Sequence, residues 1–549
     1  MLSHSTLLVL SSTLLLASSS SAADTNSTWP VQTYQSANFT PPELKITHSP
    51  AFHRQHHHPG KDEEYIFIAP GGTPSANPFV GSLIMNPADG ELVWNGPHLF
   101  SFNFGVQTYK DEPVLVSWNG SRFPEPVGRG NGYVYLWDKH YEEIAKVTLP
   151  GNFAELTPGQ RFESNIDLHE LFITKWNTLL VTGNNVTQTD LSSVGGKKDG
   201  WVVEAQAYEI DIATNEVLFS WKSLEHLDAI PLNASLYPLG SEGYDGHNRS
   251  LAWGYFHINT MSPNGRDGYI LSSRYTCSAI EIDKETGNVE WILQGRRGGS
   301  LNEFELGEGV DFCYQHHVRV AEQRFNHETG KCSHVTLQMH DNHNAPLDND
   351  TVPASGKIID VDLSSRTATL RTRYLNPASP IFPTAQGSFQ RLSNNNVFEG
   401  HGYVPILEEF SPNGTILTTF QFGNAVPRPG GGFFTSEGAV TLSYRSFKQP
   451  WIGCPKTKPS VVAKSIGPKE AAHGTEVYIS WNGATEVEAW EIHGGIETVS
   501  YMRTVEKRGF ETRVNVSSVE FVRVKPVLKR SAPKECGQDV MSDLVFVDA

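Results

Sequence analysis

Four shortages narrow what this chain can be. Positive charge is scarce: 43 Lys and Arg stand against 60 Asp and Glu, for a net charge of −17. That balance argues against nucleic acid or an anionic membrane surface as the main partner. Cysteine is scarce too, with five in 549 residues, and none has the spacing of a zinc site. Helical periodicity is nearly absent, whereas 48 glycines and 33 prolines punctuate short apolar runs, the pattern of an all-β chain rich in turns. Long apolar runs are missing as well. The longest, Leu7 to Leu16 with Ala17 behind it, falls far short of the roughly 20 residues of a membrane span. With Ser21, Ala22 and Ala23 following, it reads as a secretory signal over residues 1–23, although no Lys or Arg precedes it.

Export agrees with nine N-x-S/T sequons, at Asn26, Asn38, Asn119, Asn185, Asn233, Asn248, Asn349, Asn413 and Asn515. In an oxidising compartment five cysteines leave one unpaired. Cys313 and Cys332 flank one apparent hairpin, and Cys454 and Cys536 bracket the C-terminal region. The expected disulfides are therefore Cys313–Cys332 and Cys454–Cys536, with Cys277 reduced.

The chain also contains a weak repeat. Segments beginning at Gly81, Gly132, Ala205, Ser278, Gly356 and Gly402 each read as strand, short polar turn, strand. Further strands such as "EYIFIAP", "PVLVSWNG", "NTLLVTGN" and "GYILSSR" lie between these six hairpins. Four strands per unit, repeated radially, make a β-propeller, so residues 24–450 are predicted to form a six-bladed propeller with a central funnel. Short strands over residues 475–530 predict a small fibronectin-III-like β-sandwich within residues 451–549.

"ELVWNGP", "YFHINTM", "GYILSSRYTCSAIEID", "YQHHVRV", "HDNHN", "AQGSFQRLSNNNVFEGHG" and "YISWNGATEVEAWEI" occur in the order seen in fungal arylsulfotransferase-like proteins, which this chain resembles over roughly residues 30–530. The resemblance implies the same propeller and sandwich. It also implies PAPS-independent transfer of sulfate between phenols through a sulfated histidine, with other histidines, an arginine and amides holding the sulfuryl oxygens. Carried onto this chain, it marks His257, Arg274 and His316 as catalytic, and Gln315, Asp341, Asn342, Gln386, Glu409 and Phe410 as substrate-binding. In fungal relatives the segment S-E-H-x-x-D-G supplies the nucleophile; here "LEEFSPNG" places Phe410 at that position, and His401 lies nine residues upstream.

A phenylalanine there predicts loss of sulfohistidine chemistry. The first reading is therefore a cofactor-free enzyme of fungal secondary metabolism, akin to hetero-Diels–Alderases, that cyclises an aromatic or quinonoid small molecule in the funnel. The alternative is an arylsulfotransferase using His401 or a shifted residue, and a third reading is a secreted binding protein. No cofactor and no metal is expected. His340 with His343, and the stretch "FHRQHHHPG" at 52–60, read as loop histidines. His257 and Asn259 share one face of "WGYFHIN"; His257 is expected in the funnel and Asn259 as a structural link. His316, rather than His317, is expected to face the same space, and Glu408–Glu409 supply a candidate general base.

Overall fold

The computed structural model describes residues 29–54, 64–72, 79–123, 128–326, 328, 330–343, 352–428, 430–434, 441–467, 473–537 and 540–548. Sequons Asn26 and Asn349, the N-terminal apolar run and residues 55–60 lie outside these.

The six hairpins are the outer pairs of six four-stranded antiparallel units, with Glu305–Leu306 added in parallel at the edge of the fifth. Their turns show why the sequence folds this way. Each opens on a polar residue whose side-chain oxygen accepts a backbone N–H a few residues on: Asn86, Asp138, Asp211, Asp283, Asp362 and Ser411. Each then closes on a left-handed residue: Gly90, Tyr141, Asn215, Gly287, Arg366 and Gly414. Alternating apolar residues of the flanking strands bury between neighbouring sheets, as with Leu271, Ile280 and Ile292 of the fourth.

The inner strands are Phe447–Pro450, Ser101–Tyr109, Leu171–Ile173, Ile258–Pro263, His316–Phe325 and Ser388–Arg391, in blades one to six. Each contacts the next, and the sixth contacts the first. The fold is thus a six-bladed β-propeller. Its ring closes at two places. Phe447–Pro450, late in the chain, pairs with Glu64–Ile68 in the first blade, and Lys45–His48 pairs with the outer edge of the sixth.

Behind the propeller, three strands (Ser460–Ser465, Thr475–Ser480, Glu511–Val516) face four (Ser500–Glu506, Val487–Gly495, Phe521–Leu528, Val545–Phe546). Val477, Ile479, Trp481, Trp490, Ile492, Val522 and Val524 fill the space between them, forming a β-sandwich.

The disulfides are Cys454–Cys536, as expected, and Cys277–Cys313, with Cys332 free. The expected Cys313–Cys332 pair fails for a geometric reason. In the antiparallel hairpin His316 faces His340 and Phe325 faces Cys332, so Cys313 and Cys332 stand at opposite ends of two ten-residue strands, about 30 Å apart. Cys277 instead comes within 4.5 Å (Cα–Cα) of Cys313 where blades four and five meet. Among the sequons, Asn38, Asn233, Asn248, Asn413 and Asn515 are exposed. Asn185 is half-buried, its Oδ1 accepting the Ala154 N–H. Asn119 is buried, with its amide donating to Ser101 Oγ; a glycan has no room there, and that site is withdrawn.

Candidate active site at one mouth of the channel

In a propeller the inner strands run the same way along the channel, so their starts share one mouth. Polar and aromatic side chains gather at these starts: His169 before Leu171–Ile173, His257 before Ile258–Pro263, His316 heading its strand, Gln386 before Ser388–Arg391, and Tyr444 before Phe447–Pro450. Several backbones there adopt positive φ, at Asn103 (56°), His257 (58°) and Gln386 (68°), a strained state that persists where the surrounding structure over-determines it. The imidazole of His169 packs edge-on against His257 at 4.6 Å and Tyr444 at 5.7 Å between centroids. His257 also meets Tyr275 at 5.5 Å, and His316 meets Tyr444 at 6.2 Å.

His169 is held by Asp167, whose Oδ2 lies 2.5 Å from Nδ1. The carboxylate also accepts N–H groups from Gly130 and His169 and the Thr182 hydroxyl. Burial works to raise the Asp167 pKa, but the His169 imidazole and these hydrogen bonds outweigh it and hold the carboxyl below its usual range. A carboxylate on Nδ1 fixes the proton there, so a neutral His169 carries its lone pair on Nε2.

Arg274 donates to the Tyr275 hydroxyl (2.9 Å) and to the Thr384 carbonyl (3.0 Å). His316 is engaged on both nitrogens: Nδ1 donates to Asn342 Oδ1 (2.6 Å), and Nε2 accepts the Gln386 N–H (3.2 Å). Burial, then the Arg274 charge, hold its pKa well below the ordinary histidine value, so it is neutral. Asn342 is itself fixed by donating to the Gln386 carbonyl at 2.8 Å. Three buried polar atoms here, Arg274 Nε, Tyr444 Oη and Gln386 Oε1, have no hydrogen-bond partner.

Beneath this layer the channel is plugged by a buried ion cluster. Glu170 receives Arg445 (2.6 and 3.2 Å) and Arg319 (2.9 Å). The two guanidinium groups overcome the effect of burial and keep the Glu170 pKa low. One positive charge is left over below the histidines. Beyond the plug lies a cavity of about 220 Å³ lined in part by His317, Arg319, Arg445 and Phe447. His317, which was not expected to face the funnel, lines this cavity.

The structure brings His257, Arg274, His316, Asn342 and Gln386 together, and removes four other predicted residues. Gln315 spends its amide on Ser272, Ser273 and Ser278, stitching blade five to blade four. Asp341 pairs with Lys357 at 2.8 Å and accepts the Cys313 N–H; against burial, Lys357 holds it at about 2. Glu409 binds Asn396 and Lys448. Phe410 packs in the blade core with Ile358, Tyr374, Phe389 and Val397. Alternation along Ile406–Phe410 turns Glu408, not Glu409, toward His401 (3.1 Å). Asn259 donates to the Gln315 carbonyl at 2.6 Å, the inter-blade link expected of it. Sequence reasoning missed Asp167, His169, Glu170 and Tyr444–Arg445. "DLHE" and "SYRSF" held the signal: ionisable residues at strand starts, flanked by apolar ones.

The arylsulfotransferase (ASST) family matches residues 105–423. The chain belongs to that family. No curated protein matches. Among solved structures, a Bacteroides caccae protein of unknown function is 11% identical, with a TM-score of 0.34, covering 70% of this chain and 99% of its own. A mutant of the GH43 protein BlXynB from Bacillus licheniformis is 8% identical, with a TM-score of 0.29 and coverages of 80% and 86%. The Cps50 (Swd1) β-propeller domain of Myceliophteria thermophila is 11% identical, with a TM-score of 0.23 and coverages of 58% and 98%.

Proposed function

We propose that the chain transfers a sulfuryl group from an aryl sulfate to a phenol, with His169 as the nucleophile. The observation that carries this is the Asp167–His169 pair, which leaves Nε2 nucleophilic beside His257 and Tyr444. In the first half, Nε2 attacks sulfur and the S–O bond to the aryl group breaks; the departing phenolate takes a proton from solvent. Asp167 stabilises the cationic ring so formed. In the second half, the acceptor phenol gives up its proton to solvent, its oxygen attacks sulfur, and the S–N bond breaks to restore neutral His169. Arg274, with Nε unpartnered, and the excess positive charge of the Arg319–Glu170–Arg445 plug favour the sulfuryl oxygens. His316, satisfied on both nitrogens, positions Gln386 and Asn342 and is not a ligand for the sulfuryl group.

Phe410 does not oppose this reading, because it lies in a blade core rather than at the channel. Two disulfides fit an oxidising compartment, and among the described residues no helix is long and apolar enough to cross a membrane. This supports placing the enzyme in the secretory pathway.

The test offers an aryl sulfate without acceptor and follows the intact mass. One retained sulfuryl group, mapped to the His169 peptide and released by a phenol, is the expected result. A chain that stays unmodified under turnover, or carries the group elsewhere, overturns the assignment. Cofactor-free cyclisation of a quinonoid substrate is the second reading, favoured by the stacked Tyr237–Tyr275 pair (4.6 Å) and the unpartnered Tyr444 hydroxyl; it requires conversion with no sulfate donor.

A further inference from the structure

Past the Arg319–Glu170–Arg445 plug, farther along the inner strands than His169 and His257, the channel holds its cavity of about 220 Å³. Blades one, two, three and five build it, with Gln449, Gln107, Phe172, and His317 with Arg319 in turn. We propose that this cavity binds a small tetrahedral oxyanion, of the sulfate or phosphate class.

The polar side chains here have spent their acceptors and kept their donors. His317 Nδ1 accepts the Phe389 N–H at 3.1 Å. Burial, then the Arg319 and Arg445 charges, hold this ring well below the ordinary histidine pKa, so it is neutral. Its proton therefore sits on Nε2, which meets no acceptor among the described residues. Gln449 Oε1 accepts the Val106 N–H at 2.8 Å, and Gln107 Oε1 accepts the Ile173 N–H at 2.6 Å. Each amide donates one hydrogen, to the Val106 or the Leu171 carbonyl, and keeps a second. Arg319 turns both terminal nitrogens to Glu170 and leaves its Nε–H without an acceptor among the described residues. Asn103 Oδ1 is a buried oxygen with no donor; a water bound with the anion supplies that hydrogen.

Charge favours the same occupant. Among the described residues no Asp or Glu lines the cavity, and Glu170 is consumed by its two arginines. Two guanidinium groups against one carboxylate leave one positive charge at the roof of the cavity. Away from bulk water an uncompensated charge is costly, and an anion offsets it. Arg319 and Gln449 are half-buried rather than sealed, which leaves the site within reach of solvent. The space is ample, since a single water needs only about 10–15 Å³. Donors on three blades suit a ligand with several oxygens better than a single-atom halide.

The test reads anion binding and so does not depend on the sulfuryl-transfer reading. In chloride-free buffer, sodium sulfate and sodium phosphate should raise the melting midpoint saturably. Calorimetry at equal ionic strength ranks the two, and saturation by either supports the site. Gln107→Glu keeps an acceptor for Ile173 but brings a carboxylate into the cavity, and should weaken binding at least tenfold. His317→Leu removes the Nε2 donor and should weaken it about tenfold or more. Arg274→Ala, at the other mouth, should keep it. Crystals soaked in selenate should show its anomalous peak beside His317 and Arg319. A peak only at the mouth, or no saturable response in the wild type, overturns the proposal even if the variants fail to fold. A response that sodium chloride reproduces at equal ionic strength overturns it too.

Discussion

Replacing Asp167 with asparagine tests the functional assignment at its narrowest point. Four donors converge on this carboxylate: the Gly130 N–H at 2.8 Å, the Thr182 hydroxyl at 3.0 Å, the His169 N–H at 3.2 Å and His169 Nδ1 at 2.5 Å. Asparagine keeps the shape and one carbonyl, which can still accept from Gly130, but turns its NH₂ toward His169. Nδ1 must then become the acceptor, and the proton moves to Nε2, where the lone pair is needed. Turnover should fall about 10³- to 10⁴-fold through the wrong tautomer and the lost stabilisation of the cationic ring. KM should change little, because the aryl group meets other side chains. Loss of charge-assisted hydrogen bonds should cost about 1.5–3 kcal/mol of stability, so the assay belongs well below the melting midpoint of the variant. Release of the donor phenol is followed with and without acceptor, and sulfuryl retention on His169 is measured in parallel. If Asp167→Asn keeps kcat within about threefold of wild type while folded, Asp167 does not set the tautomer and the nucleophile lies elsewhere.

Glu170→Gln leaves two buried guanidinium groups without their carboxylate and should destabilise the fold by about 3–5 kcal/mol; an unchanged urea midpoint would show that the plug is solvated. Acid should weaken the protein. The depressed pKa values of His316 and His317, caused first by burial, give stability that is complete above the unfolded value of about 6.5 and declines as pH falls below it. The depressed Asp167 and Glu170 carboxyls add a second decline below about pH 4, so melting midpoints that stay level from pH 7 to about pH 4 would contradict the burial of neutral imidazoles. Non-reducing peptide maps should link Cys277 to Cys313, whose 36-residue separation is worth about 4 kcal/mol on the chain-entropy estimate, and alkylation should label Cys332 alone; a Cys313–Cys332 peptide would refute the pairing. His257→Ala should slow turnover about three- to tenfold with the fold intact, and outright unfolding would mean that the ring is a packing element.

The propeller was legible because its outer hairpins carry two independent signals, strand alternation and a turn that opens on an Asx or Ser side chain and closes on a left-handed residue. Asp283 through Gly287 shows the whole turn signal in five residues. The inner strands carry neither. Leu171–Ile173 is three residues long, and Ile258–Pro263 has a register shift after its first residue. At His257 the positive φ ends the alternation before the strand begins. The face-sharing argument for His257 and Asn259 therefore does not describe how they are placed, although His257 does stand at the channel mouth.

The errors in the candidate site have the same origin. Motif position and channel position are different coordinates: along Ile406–Phe410 one step separates Glu408, facing His401, from Glu409, facing Lys448. A second step puts Phe410 into the blade core. Reading a nucleophile's loss from Phe410 treated a packing residue as a channel residue. The residues that meet at the mouth come from five different blades, and each stands at the start of its own strand, far in sequence from the others. His169 and Tyr444 are 275 residues apart in sequence and 5.7 Å apart between rings. The pairings of Phe447–Pro450 with Glu64–Ile68 and of Thr441–Leu442 with Gly71–Gly72, long-range contacts that no local pattern encodes, bring Tyr444 to the histidines.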